Sequence, residues 1–293
     1  MATVNNITTT YIGKDSKEFI SPILTAGRTL GVPGVTIKNN VNYRSRITKI
    51  AMSGLIKDAT CDFDPTGTID QTEVWLAVKQ LEVNLQICKS DYYNDFIGEA
   101  MGPADGLPGA FLSYLLGEIG GNVADAIETM VWQGTNVADS FEGLETKFAA
   151  DATVIDVTGV TASSSTIIAE VRKMTAVANK NVLAASDALL YVSSGSFQAL
   201  KEAFNDKGNA APCGENCMNV DGLEIFYAPG LSAGAMVIAQ KSNLFFGSWA
   251  NSDLASVKVK DMSEFLEDNV RLAMSFFAGT QIGIGAEVVY YAV

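Results

Sequence analysis

The chain has 293 residues, a formal net charge of −13 and no histidine. Without histidine, Ser-His-Asp and Cys-His catalysis and His-ligated zinc or iron sites are excluded. The acidic balance repels phosphate backbones and argues against a nucleic-acid reader; the most basic stretch, Tyr43 to Lys49, is short.

The length suggests about two lobes. Charged residues make up 18% of the chain, below the usual quarter, and a large chain poor in charge often buries surface against other copies of itself. The four cysteines, Cys61, Cys88, Cys213 and Cys217, are too few for a disulfide scaffold. The start, Met1 to Asn6, has no basic or apolar run and does not read as a signal peptide. No apolar run approaches the ~18 residues a membrane span needs.

Residues 1–43 are rich in Thr, Asn and Gly, carry Pro22 and Pro33, and sustain no helical period. They read as an extended N-terminal arm whose apolar residues, such as Ile20, Leu24 and Val35, need a partner surface. Residues 44–60 and 71–88 read as two extended runs around the turn Asp62 to Gly67, together a long β-hairpin. Leu81 to Ile87 alternates apolar and polar residues, the period of a half-exposed strand, whereas Glu73 to Gln80 is ambiguous between strand and helix.

Asp91 to Ala100 is read as helical. After the Gly/Pro break at Gly102 to Gly109, Ala110 to Trp132 places Leu112, Leu115, Leu116, Ile119, Val123, Ile127 and Val131 at helical spacing. Gly117, Gly120 and Gly121 predict a bend inside this helix, and Gly134 a stop after it. Residues 135–160 read as loop and short strands, with Val154 to Val157 β-branched. Thr166 to Asn179 reads as a helix capped by one of Ser163, Ser164 or Ser165. Leu189 to Val192 reads as a buried strand and Ser196 to Asn205 as a helix. Strands follow at Leu223 to Ala228 and Ala235 to Ala239, and the end, Val270 to Phe277 and Ile284 to Val293, is β-like. The class is α+β. Arms and long hairpins expose strand edges and apolar residues unless neighbouring subunits cover them, so the organisation points to assembly.

Several stretches resemble the major capsid proteins of tailed bacteriophages, whose fold is called Hong Kong 97. Ala124 to Thr135 with Phe141 to Leu144 is similar to that family's spine-helix end and following loop. Ala188 to Val192 with Phe197 to Glu202 resembles the strand and helix that open its axial domain. Asp221 to Gly230 resembles the central axial strand, Ser242 to Gly247 the step back to the peripheral domain, and Gly285 to Tyr291 the last strand. The resemblance implies an N-terminal arm (1–43), an extended loop (44–88), a peripheral domain with spine helix (89–160), an axial domain (161–245) and a return to the peripheral domain (246–293). It further implies pentamers and hexamers closing into an icosahedral shell around double-stranded DNA, without sequence-specific binding. Portal, scaffold and decoration proteins would be its partners, the bacterial cytoplasm its place of assembly and the virion its destination; no membrane is involved. An encapsulin-like nanocompartment shell is the alternative, and a carboxylate- or metal-dependent hydrolase a weaker third reading.

Local motifs do not outweigh this. Asp62 to Glu73 matches a calcium EF-hand loop at positions 1, 3, 6, 8 and 12, but position 5 is Thr66 and the flanks look like strand, so a polar hairpin tip is the competing reading. Cys213 and Cys217 have neither redox spacing nor a complete zinc set. Gly283-Ile284-Gly285 lacks the third glycine of a dinucleotide loop. Glu264, Glu267 and Asp268 are spaced for one helix face and read as solvated. No catalytic, cofactor-binding or metal-binding residue is assigned, no cofactor is expected, and the chain is read as a structural protein that is not an enzyme.

Overall fold

The computed structural model describes residues 8–12, 26–32, 34–53, 56, 58–59, 66–88, 109–137, 139–206, 219–249 and 256–293. In chain order the elements begin with β1 (Thr8–Ile12), α1 (Arg28–Gly31), β2 (Thr36–Asn39), β3 (Arg44–Ser53), β4 (Thr68–Ala77), β5 (Lys79–Cys88) and α2 (Gly109–Gln133). Then come α3 (Leu144–Ala150), β6 (Ile155–Thr158), α4 (Ile167–Val177), α5 (Lys180–Leu183), β7 (Ala188–Val192) and α6 (Ser194–Asp206). The remainder are β8 (Asn219–Val220), β9 (Leu223–Tyr227), β10 (Met236–Gln240), β11 (Leu244–Ser248), β12 (Ser256–Asp261), β13 (Asn269–Ile282) and β14 (Val289–Ala292).

One sheet is organised by β13. Its residues 270–275 pair with β12, 269–278 with β5 and 278–282 with β11, all antiparallel. The arm completes the sheet: β2 adds in parallel to β11, and β1 pairs antiparallel along β12. Val270, Leu272, Met274 and Phe276, every second residue of β13, are buried, as a strand with one covered face requires.

The other sheet runs β6-β14-β10-β7-β9-β8. It is covered on both faces, and strand alternation divides its side chains between two cores. Leu190, Val192, Met236 and Ile238 meet Ile167, Val171 and Met174 of α4 and Leu200 of α6. Tyr191, Val237 and Ala239 face the core built by Ile127, Val131 and Trp132 of α2 and Phe148 of α3. Near-continuous apolar strands are what double-sided burial selects.

Four expectations need correction. Residues 71–88 are not one arm of the hairpin: the chain breaks at Val78, β4 pairs with β3, and β5 leaves to join β13. A period-2 pattern identifies a strand but not its partner. The helix 109–133 is unbroken through Gly117, Gly120 and Gly121, because burial of Ile119, Ala124, Ile127 and Val131 outweighs the ~1 kcal/mol propensity cost of each glycine. Residues 144–150, expected as loop, form α3, anchored by buried Leu144 and Phe148. Glu264, Glu267 and Asp268 do not share a helix; they lie at the tip of the β12–β13 hairpin, which opens with a single 3-10 turn, Ser263–Phe265.

Other readings agree with the fold. Glu73 to Gln80 is strand on both sides of the break, and the elements near 154–157, 166–179, 188–192, 194–206, 223–228, 235–240 and 270–282 are present with small shifts. The helix expected at 166–179 runs over 167–177, and its N-cap is Thr166, with no side-chain capping bond, rather than Ser163, Ser164 or Ser165. Gly134 closes α2 where a Cβ would stand 2.1 Å from the carbonyl oxygen of Phe141. The helix expected at 91–100 lies outside the described residues.

Candidate assembly surfaces

The arm is fastened to α2 by one buried polar cluster. Glu128 is 4% exposed and lies on the helix face shared by Ala124, Ile127 and Val131. Its carboxylate accepts from the Thr29 backbone N–H at 3.0 Å and from the Thr29 hydroxyl. The indole of Trp132 donates to the Thr29 hydroxyl oxygen at 2.9 Å. One turn further on, Gln133 donates to the Gly230 carbonyl at 2.8 Å, which ties the loop after β9 to the same helix end. Burial pushes the Glu128 carboxyl above the ordinary glutamate range, and the hydrogen bonds from Thr29 oppose that shift. A Cβ on Gly27 would lie 2.6 Å from Glu128 Oε2, so a side chain there would have to displace the carboxylate. The Tyr191 hydroxyl donates to the Gly34 carbonyl from the facing sheet, and burial raises its pKa. Thr29 and Gly34 are thus held between the long helix and a sheet.

In the β14 region, Tyr291 Oη sits 3.0 Å from Glu170 Oε2 and 2.9 Å from the Val160 carbonyl, fixing the chain after β6. Lys173 bonds Glu170 at 2.6 Å, and that hydrogen bond lowers the carboxyl pKa. Glu145 of α3 is shifted upward by burial, against a hydrogen bond from the Ser232 N–H at 2.7 Å.

β3 and β4 form a two-stranded ribbon that pairs with no other strand among the described residues. Its root is buried: Leu76 packs with Val41 and Ile47, and a Cβ on Gly279 of β13 would stand 2.2 Å from the Ala77 carbonyl. Further out, Ile50 and Ile69 are exposed. An isolated ribbon with exposed β-branched residues is a surface awaiting a partner.

Beside the root lies a cleft of about 310 Å³, with Trp75 at its rim and Phe141, Gly279 and Thr280 in its lining. The Arg44 guanidinium lies over the Tyr43 ring at 4.8 Å and the Trp75 ring at 5.8 Å. Lys79 donates to the Ser140 carbonyl at 2.9 Å, and Lys147 pairs with Glu142. The lining therefore carries Arg44, Lys79 and Lys147 against the carboxylate of Glu142.

The β12–β13 tip has the opposite character. Phe265 is 58% exposed and Leu266 99% exposed, and Leu266 has φ of 61°, a left-handed conformation unusual for a leucine. Glu267 and Asp268 follow, and Glu267 pairs with Arg271 at 2.9 Å.

In the calcium-like stretch, residues 62–65 lie outside the described residues, while Glu73 sits in β4 and pairs with Arg46 at 2.7 Å. Cys61, Cys213 and Cys217 also lie outside; Cys88 ends β5. Gly283, Ile284 and Gly285 lead from β13 into a 3-10 turn before β14, which is not a strand-to-helix phosphate loop. No helix among the described residues is long and apolar enough to cross a membrane, and no group of three carboxylates or thiols among them is placed to hold a metal ion. Sequence reasoning found neither the Glu128 cluster nor the tip and cleft. A glutamate at i+4 from Ala124 on an apolar face, and adjacent Phe265-Leu266 between polar pairs, were the available signals.

The sequence matches no family model and no curated protein. Solved structures do match in fold. The capsid of a native GTA particle aligns with a TM-score of 0.63 at 14% identity, covering 91% of this chain and 89% of that one. A subunit of the satellite phage P4 procapsid, solved with its size determination protein, aligns at 0.61 and 14%, covering 94% and 98%. A chain of Mycobacterium phage Adephagia aligns at 0.57 and 14%, covering 91% of each. Over nearly its whole length, this chain has the α+β fold of tailed-phage capsid proteins.

Proposed function

We propose that the chain is a major capsid protein, a structural subunit that assembles with copies of itself into an icosahedral shell enclosing double-stranded DNA. The observation that carries this reading is the full-length likeness to capsid subunits in a chain whose β3–β4 ribbon and β12–β13 tip expose apolar residues. In this reading the sheet organised by β13, with α2 as spine, is the peripheral domain. The sheet β6-β14-β10-β7-β9-β8 is the axial domain and β3–β4 the extended loop, so that β5, expected in the extended loop, goes with the peripheral sheet, and β6 and β14, expected in the peripheral domain, go with the axial sheet. The absence of histidine supports a structural rather than an enzymatic role. The structural neighbours do not favour the encapsulin alternative. Portal, scaffold and decoration proteins are the expected partners, the host cytoplasm the site of assembly and the virion the final location. The acidic surface suits a wall that encloses DNA without gripping it.

The test is electron microscopy of the protein purified after expression alone. Closed shells or regular rings are expected. A monomer that persists at high concentration, with or without a co-expressed scaffold, overturns the reading.

A further inference from the structure

The tip and the cleft are chemically complementary. The tip presents Leu266 and Phe265, with the Lys260 ammonium 4.6 Å from the Phe265 ring, and then Glu267, which pairs with Arg271, and Asp268. Acidic residues (Asp261, Glu264, Glu267, Asp268) outnumber the basic Lys260 and Arg271 along this stretch. The cleft presents the Tyr43–Arg44–Trp75 stack and an excess of cationic groups, in a chain that is acidic overall. Its volume of about 310 Å³ is at the small end for a ligand pocket of roughly 300–1,000 Å³, a size that suits side chains better than a large cofactor.

The two features stand toward opposite ends of one strand. The tip precedes Asn269, where β13 begins, whereas Gly279 and Thr280 line the cleft. Gly279 lies ten residue steps along the strand from Asn269, a span of about 33 Å. A subunit therefore cannot fill its own cleft.

We propose that the β12–β13 tip of one subunit seats in the ribbon-root cleft of the next copy, with Leu266 and Phe265 against Trp75 and Tyr43 and the tip carboxylates facing Arg44. The contact is heterologous: a subunit gives its tip to one neighbour and its cleft to another, the arrangement that generates closed rings or shells. The inference rests on the shell reading above and specifies one contact within it.

Two variants test it. Phe265→Ser with Leu266→Asn removes the tip; both positions are exposed, and asparagine tolerates the left-handed conformation, so folding is retained. Arg44→Glu with Trp75→Ser disables the cleft. Each variant is checked by thermal melting and then analysed by sedimentation velocity across a concentration series. Each alone is expected to need about tenfold or more protein than wild type to assemble, the loss typical of an apolar anchor. An equimolar mixture is expected to form one-to-one dimers, because the tip of the cleft variant meets the intact cleft of the tip variant.

If the tip variant assembles at the wild-type concentration, the contact is overturned while the shell reading stands. If both variants are monomeric and their mixture stays monomeric, the tip is covered by something other than the cleft, and the pairing is again overturned. Should the cleft variant fail to melt cooperatively, Arg44→Glu alone replaces it in the mixture. Wild type that never assembles overturns the shell reading, and the contact falls with it.

Discussion

Glu128 shows how a single residue can hold two distant segments together. It is buried and accepts two hydrogen bonds from Thr29. Removing it leaves the Thr29 N–H without its acceptor inside a core. Glu128→Ala is expected to lower unfolding free energy by about 1–3 kcal/mol for each buried donor left unpaired, measured by denaturant unfolding of the unassembled subunit. The pH dependence has a definite sign. Burial raises the Glu128 pKa above 4.5, so its contribution to stability is complete below that value and is lost as pH rises through the higher folded value. Glu145 acts in the same direction. Glu170 and Asp151, with lowered pKa values, act oppositely and lose their contribution as pH falls through the folded value. The difference between wild type and Glu128→Gln isolates Glu128. Wild type should lose ground to Glu128→Gln as pH rises above 4.5, read as midpoint temperature against pH. This cluster was not legible in the sequence, because Thr29 and Glu128 are 99 positions apart and no local pattern links them.

At the scale of elements, local pattern and tertiary partner separate clearly. The 3.6-residue spacing of Ile119, Val123, Ile127 and Val131 was enough to place α2, and the β-like reading of 270–277 enough to place the first half of β13. The break at Val78 was not legible, since residues on both sides keep strand character; what divides β4 from β5 is the approach of Gly279 to Ala77, a long-range contact. β12 passed unread although Val257, Lys258, Val259 and Lys260 alternate, because a six-residue strand carries a weak signal. The ribbon allows a clean test. Deleting residues 50–71 and joining Lys49 to Thr72 through Asn-Gly keeps buried Ile47 and Leu76 and removes exposed Ile50 and Ile69. The shortened chain should melt within about 3 °C of wild type, yet fail to produce assembly in light scattering.

For the whole molecule, composition was the most direct guide. Sparse charge pointed to a chain that meets its own kind and the acidic excess away from nucleic acid, while the candidate surfaces require three dimensions: Tyr43, Trp75, Phe141 and Gly279 converge on the cleft from four separate stretches. Copies each carrying a net charge of −13 repel one another. That repulsion acts over a Debye length of about 10 Å at 0.1 M salt and about 3 Å at 1 M. Raising salt from 0.1 to 1 M should therefore lower the concentration at which particles appear, measured by light scattering. The apolar part of the proposed contact, Leu266 and Phe265 against aromatic rings, is not weakened by the same change, whereas its charged part, the tip carboxylates facing Arg44, is screened.

The length of β13 has a consequence for geometry. A single strand joins the tip to the cleft floor, so its residue count fixes the distance between successive copies, as a ruler does. Strand side chains alternate, so inserting one residue would turn the inward row outward and unfold the sheet. Inserting two, with two more in β5 and β12, preserves every facing and lengthens the step by about 6.6 Å. In the proposed contact the step between copies therefore lengthens in pairs of residues along the span from Asn269 to Ile282.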